Sequence, residues 1–192
     1  MKFKAIAEIT VGQNITREKE TNQKYYTNDD LIADLHAIPI VIIRNGIEDE
    51  TPDANNHEIR AGDVLYSVVT STAAIVSPQN DGKRLNQNIA KMTLSTGQLD
   101  PRYLCYAINE SKDIQKQMAA IGQGTVKRIL TPAVLGEITI TYPDLATQEK
   151  IGEAYFKFNR QQYLANLELE LQKKVYFEVL KKIDHKMKRG KR

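Results

Sequence analysis

The chain predicts an α+β fold: a mixed α/β domain over residues 1–146, then a long, coiled-coil-like helix with a basic tail over residues 147–192. Three observations lead there. Short β-branched runs separated by Gly, Pro and Asn recur through the first part, as strands and turns require. Helix-start signals at Asn28 and at Asp100-Pro101 fall between those runs. From Thr147 to Met187 the only glycine or proline is Gly152, while apolar residues return at helical intervals.

Taken in order, Phe3–Val11 alternates loosely and ends at Gly12, as a strand would. Asn28 is read as the N-cap of a short helix, Asp29–His36, with acids in its first turn. Ile38–Ile43 is a continuous apolar run containing Pro39 and ending before Gly46, which predicts a buried strand. Glu48–Asn56 is acidic and rich in turn formers, hence a surface loop. Val64–Val69 and Thr72–Val76 flank Thr70-Ser71 as consecutive strands, and Asn88–Leu94 is another. Asp100 and Pro101 open a single helix whose buried side is Leu104, Ile108, Ile114 and Met118, stopped by Gly122. Cys105 falls on that helix as a small buried hydrophobe. A short element lies around Leu130–Leu135, followed by a β-rich run, Glu137–Tyr142.

The C-terminal helix holds apolar residues at Ile151, Tyr155, Phe158, Leu164, Leu167, Leu171, Val175, Val179 and Ile183. Some 40 residues at about 1.5 Å each make a rod of about 60 Å. Such a length exceeds what the core of one small domain needs, so the stripe predicts a partner helix. Phe156, Tyr163, Leu169, Tyr176 and Phe177 widen it, which predicts more than one contacting surface.

At 41% hydrophobic and 27% charged, the composition is that of an ordinary soluble domain. No run of 18 apolar residues occurs and Met1-Lys2-Phe3-Lys4 lacks a signal-peptide core, so a cytoplasmic protein without membrane contact is expected. The single cysteine excludes an internal disulfide and a multi-cysteine metal site. The net charge of +3 is unevenly spread: residues 173–192 hold nine basic against two acidic side chains, and the remainder is acidic. That tail fits a phosphate-binding strip, and it equally fits a solvated helix end whose cations suit the dipole.

His36, His57 and His185 are scattered without metal-ligand spacing, and neither a Walker A loop nor a complete dinucleotide loop is present. The Asp/Asn-Pro-Pro-aromatic signature of amino-methyltransferases and a Pro-Asp…Asp/Glu-x-Lys nuclease core are also missing. What remains points to binding without catalysis, and with no metal site. Arg, Lys, Asn and Gln make paired hydrogen bonds to base edges, while Ser, Thr and backbone amides hold phosphate. Four polar clusters carry such residues: Asn14, Thr16, Arg17 and Lys19, continuing to Lys24; Ser71 and Thr72; Lys83, Arg84, Asn86 and Gln87; and Gln123, Gly124, Thr125, Lys127 and Arg128. Each fits a solvated loop as well.

The stretch Ile121–Ile151 joins a Gly-x-Gly-Thr turn, a β-rich run, a proline and a glutamine-containing helix start. With Gly122, Gly124, Thr125, Ile138, Ile140, Pro143, Gln148 and Ile151 in place, it resembles the end of a target-recognition domain and its spacer helix in the DNA specificity subunits of type I restriction-modification systems. The resemblance reaches back to Ala61–Leu65 and Leu99–Leu104, and so covers roughly the last two thirds of the chain. It implies recognition of double-stranded DNA, docking of a methyltransferase (modification) subunit, and indirect contact with a restriction subunit. No cofactor would be bound by this chain, S-adenosylmethionine being carried by the methyltransferase. Full-length subunits carry two recognition domains and two spacer helices. The chain holds one of each, without internal repeat, which implies a half-length subunit acting as a homodimer. Three alternatives stay open: a phage-borne or orphan half-subunit that alters a foreign methyltransferase, a recognition segment of an enzyme whose catalytic part lies on another chain, and a non-DNA oligomerisation scaffold.

Overall fold

The computed structural model describes residues 1–12, 24–39, 57–95, 97–121 and 132–189. Four antiparallel strands form its sheet: β1 (Ala7–Val11), β2 (Val64–Ser67), β3 (Thr72–Ile75) and β4 (Ile89–Leu94), in the order β1-β4-β2-β3. The register pairs Val11 with Ala90, Ser67 with Ile89 and Ser67 with Thr72. Ile59, Leu65, Tyr66, Ile75, Leu85, Ile89 and Leu104 are fully buried around it. Among the described residues, no helix is long and apolar enough to cross a membrane.

Helix α1 (Asn28–Leu35) starts one residue earlier than the composition suggests. Thr27 is its N-cap: the hydroxyl accepts from the Asp30 N–H, and the Asp30 carboxylate accepts from the Thr27 N–H. The reciprocal pair satisfies two helix-end donors, so Thr27 outcompetes Asn28. Asn28 instead accepts from the Ser67 hydroxyl at 2.7 Å.

The single helix expected after Asp100 is two, α2 (Pro101–Glu110) and α3 (Lys112–Ile121), because Ser111 adopts an extended conformation between them. The break turns Asn109 onto the edge of the sheet. Its amide accepts from the Ala73 N–H at 2.7 Å and donates to the Ala73 carbonyl at 2.9 Å, as a neighbouring strand would. Edge strand β3 is thereby closed to outside pairing at that residue. Cys105 is fully buried on α2, and burial pushes its thiol far above the usual range, as its apolar reading requires.

Three strand expectations change. Phe3–Ala5 is a 3-10 turn, so β1 begins only at Ala7. The Phe3 N–H donates to the Ile138 carbonyl and the Ile140 N–H to the Met1 carbonyl, which ties the N-terminus to residues 138–140. Residues 138–142 form no strand. The helix α4 (Pro132–Glu137) takes the start of that run, and a single bridge joins Lys2 to Thr139. Both backbone groups of Thr139 that a second strand would need are held by the Gln117 side-chain amide, at 2.8 and 2.9 Å. Ile38, placed by its apolar context in a buried strand, is 79% exposed just beyond the end of α1, and Pro39 after it is in no strand; residues 40–43 of that run and the acidic loop 48–56 lie outside the described residues.

Helix α5 (Leu145–Arg189) begins two residues before Thr147 and spans 45 residues, about 67 Å at about 1.5 Å per residue. Its start is built into the domain. Asp144 accepts from the Thr147 N–H and hydroxyl. Gln148 is buried, donating to the carbonyls of Gln98 and Pro143 and accepting from the Asp100 N–H. A turn later Gly152 meets α2 so closely that a Cβ there would lie 2.5 Å from Arg102 Cβ. Tyr155 and Phe156 complete the core, and the Asn109 amide donates to the Tyr155 hydroxyl at 2.9 Å.

The N-terminus is also tied to α4 electrostatically. Hydrogen bonds from the Lys2 and Lys4 ammoniums hold the Glu137 carboxyl at about 2, against an ordinary value of 4.5. A depressed folded-state value stabilises the protein above about pH 4.5 and is lost as pH falls towards 2. Glu137→Gln should therefore lower the urea midpoint at pH 6 in low salt, and the difference from wild type should vanish near pH 2. Because the pair is exposed, 0.5 M salt should shrink the effect by screening.

Candidate nucleic-acid interface

One end of the sheet gathers the polar segments. β1 and β2 end there, β3 and β4 begin there, and the register fixes this by pairing Val11 with Ala90 and Ser67 with both Ile89 and Thr72. Residues 83–86 run into β4 and carry a backbone bond on each side. The Arg84 N–H donates to the Lys24 carbonyl and the Tyr26 N–H to the Arg84 carbonyl, while the Ile59 N–H donates to Lys83. On the other side of β4, the Val68 N–H donates to the Asn88 carbonyl. Gly12 closes the group: a Cβ there would lie 2.4 Å from the Asn86 oxygen, so only glycine lets β1 leave past residues 85–86.

Three of the four predicted clusters are thus brought together as far as they are described. Lys24 and Gln87 are exposed at this end, and Arg84 sits between them on the central segment. Ser71 is exposed in the β2–β3 turn with a left-handed φ of 54°, and the Thr72 hydroxyl donates to the Thr70 carbonyl. Residues of the first cluster, Asn14, Thr16, Arg17 and Lys19, lie outside the described residues. So does the whole fourth cluster of Gln123, Gly124, Thr125, Lys127 and Arg128.

Two side chains selected as base or phosphate contacts have structural work here. Asn86 is buried, its amide donating to the Tyr26 carbonyl at 2.5 Å and accepting from the Asn88 N–H at 2.8 Å. It cannot also offer that edge to adenine, so its assignment is corrected to a strut for the loop. The Lys83 ammonium lies 2.8 Å from the Asp30 carboxylate with both side chains mostly covered. Burial alone would raise the Asp30 carboxyl, but hydrogen bonds from Lys83 and Thr27 hold it below its usual value. Lys83 therefore meets a phosphate only in competition with Asp30.

Composition gave no sign of what sits beneath these loops. Asp34, buried, accepts from the Tyr26 hydroxyl at 2.8 Å and from the Asn80 amide at 2.9 Å. Burial and the Asp34 charge push the Tyr26 phenol well up, which keeps it a donor. The network pins residues 24–26, α1 and the turn at Pro78–Asn80 to one another, so the polar loops stand on a fixed base. The Thr27-x-x-Asp30 capping box was the one available sequence signal for this region.

Along α5 the predicted partner stripe divides. Ile151 is half-buried against the core and Tyr155 lies within it, so these two serve their own chain. Beyond Phe156 the apolar side chains emerge: Phe158, Leu164, Leu167, Leu171, Val175, Val179 and Ile183 are all exposed, Val175 by 63%. They form two rows. Leu164, Leu167, Leu171, Val175 and Val179 are spaced by three and four residues, and Leu169, Tyr176, Leu180, Ile183 and Met187 lie roughly a third of a turn away. Ion pairs Glu170–Lys173, Glu178–Lys181 and Asp184–Lys188 run along the solvent face and support the helix there.

Comparison with known proteins adds a family to this geometry. The model for the type I restriction modification DNA specificity domain matches residues 1–183. A chain from a structure on complex assembly and conformational transition of the type I R-M system aligns with a TM-score of 0.59 at 19% identity, over 94% of this chain and 42% of that one. The type I restriction-modification S subunit from M. genitalium aligns with a TM-score of 0.55 at 15% identity, over 91% and 42%. The HsdS subunit from Thermoanaerobacter tengcongensis aligns with a TM-score of 0.51 at 19% identity, over 86% and 38%. The chain spans about two fifths of the length of these solved relatives, and at such identities the likeness is one of fold. No curated protein matches the sequence. Since the family match takes in the sheet, its loops and nearly all of α5, the chain belongs to the type I restriction-modification DNA specificity domain family.

Proposed function

We propose that this chain recognises a specific sequence in double-stranded DNA, catalyses nothing itself, and works as a two-fold homodimer that docks a methyltransferase subunit. The observation that carries the reading is the family match across both the sheet domain and α5. The gathering of Lys24, Arg84, Gln87, Ser71 and Thr72 at one end of the sheet supports that end as the DNA-facing side. The cluster containing Lys127 and Arg128 is assigned to the same role by its sequence pattern alone. S-adenosylmethionine would be bound by the methyltransferase, which would extrude the target base from the duplex for its chemistry. A restriction subunit would join through that assembly.

The two exposed rows on α5 support a division of labour. In the proposed pair, the Leu164–Val179 row packs against the same row of a second copy, since an isologous contact must be self-complementary. The row from Leu169 to Met187 then remains for the methyltransferase subunit. Each leucine buried in such a seam contributes about 1.5–3 kcal/mol. Replacing Leu167, Leu171 and Val175 by glutamate should therefore convert a dimer at tens of micromolar into a monomer, with helical content retained because these positions face solvent in the single chain. Light scattering reads the outcome directly. A wild type that stays monomeric at that concentration, also with DNA present, removes the homodimer from the account.

A further inference from the structure

α5 meets its domain in two places that belong to different elements. Gln148, Gly152 and Tyr155 seat its first turns along α2 and the segment before it. Beyond the core, a second contact comes from the C-terminal end of α1. The His36 ring stacks on Tyr163 with centroids 4.9 Å apart and 17° between planes. Arg160 lies 5.8 Å from the Tyr163 ring centre, and its guanidinium donates to the His36 carbonyl at 3.3 Å. Burial, reinforced by that guanidinium, holds the His36 imidazole below its usual value, so it meets Arg160 uncharged at neutral pH.

A rod held along one line can swing about it; a second support away from that line stops the swing. We propose that His36, Arg160 and Tyr163 form a positioning clamp that fixes the direction of α5 relative to the recognition domain, and with it the half-site spacing that a pair of chains accepts. The spacing half rests on the two-fold reading given above. Leverage makes the clamp matter. From Tyr163 to Arg189 the helix runs on for about 39 Å, so a tilt of about 10° moves its far end about 7 Å. That displacement equals the rise of about two base pairs. The clamp itself lies outside the core, with Tyr163 40% exposed, so its loss should redirect the helix without unfolding the domain.

The test uses the 192-residue chain with nitroxide labels at Lys116→Cys on α3 and Lys181→Cys on α5, diluted in unlabelled chain so that only intramolecular distances are read. Buried Cys105 stays unlabelled. The unmodified clamp and Tyr163→Phe, which keeps the ring, should give one narrow distance. The His36→Ala/Tyr163→Ala variant should give a distribution about twofold broader. The same three chains, without labels, are then used to select from a random duplex library. Wild type and Tyr163→Phe should return one spacing between half-sites, and the double variant the same half-sites at several spacings. An unchanged distance distribution overturns the clamp. A broadened distribution with one unchanged spacing overturns its role in recognition. A wild type that returns no two-part site overturns the two-fold reading and the spacing half with it, while broadening in the double variant still supports the clamp.

Discussion

Replacing Gly152 with leucine is expected to lower the stability of the chain by about 3 kcal/mol, the upper range for overpacking a close contact. Glycine within a helix ordinarily costs about 1 kcal/mol relative to alanine, so its presence in α5 needs a return elsewhere. The return is the approach of two helices. A Cβ at this position would lie 2.5 Å from Arg102 Cβ and 2.7 Å from the Tyr103 nitrogen. The Tyr103 nitrogen is backbone in the first turn of α2, so neither neighbour can swing away as a flexible side-chain end could. A larger residue must push α5 off α2 and loosen Tyr155 and Phe156 behind it. Gly152→Ala should show the same sign with a smaller effect, since the propensity gain offsets part of the clash. Urea unfolding followed by circular dichroism gives both values. A leucine variant as stable as wild type would mean that the two helices separate at no cost.

Gln148→Leu is expected to cost a comparable amount, about 3 kcal/mol, by a different route. The side chain is buried and makes three hydrogen bonds, to the carbonyls of Gln98 and Pro143 and from the Asp100 N–H. Leucine fills similar space but leaves those backbone groups without this partner, and unsatisfied buried groups carry their desolvation cost. Gln148→Glu separates polarity from shape. Its carboxylate would face two carbonyl oxygens, so its folded-state pKa should rise above the unfolded value. Stability lost to the charge should then return as pH falls from the raised folded value towards the unfolded glutamate value of about 4.3, and be fully recovered below it. Gln148→Leu should show no such pH dependence relative to wild type. A glutamate variant whose deficit is constant from pH 7 to pH 4 would contradict this description of the pocket.

The glutamine was visible in the sequence as part of a family-like helix start, but its work was not. Much of the fold was legible because it is local: the strands at Val64, Thr72 and Ile89, the Asp100 cap with Pro101, and the uninterrupted helix after Pro143 each follow from neighbouring residues. What could not be read involves side-chain amides replacing backbone partners across long separations. Gln117 occupies Thr139, Asn109 occupies Ala73, and Asn86 occupies Tyr26. An asparagine that ties a loop is indistinguishable in sequence from one that reads adenine, because both uses need the same paired edge. In sequence Gly152 reads as an interruption of the helix, whereas in the fold it is a point of close approach to α2. The widened stripe on α5 does predict more than one contacting surface, but periodicity does not say where a domain ends: Tyr155 is consumed by the core and Val175 is not.

The central claim, that this chain reads DNA as a two-fold pair, is tested most directly by selecting duplexes from a random library with the 192-residue chain and sequencing what it retains. The account predicts one enriched motif, an interrupted palindrome whose halves lie about one helical turn or slightly less apart. Enrichment should weaken as salt rises, because phosphate contacts release counterions. A library that emerges without any enriched motif, or with a single motif lacking two-fold symmetry, would contradict it.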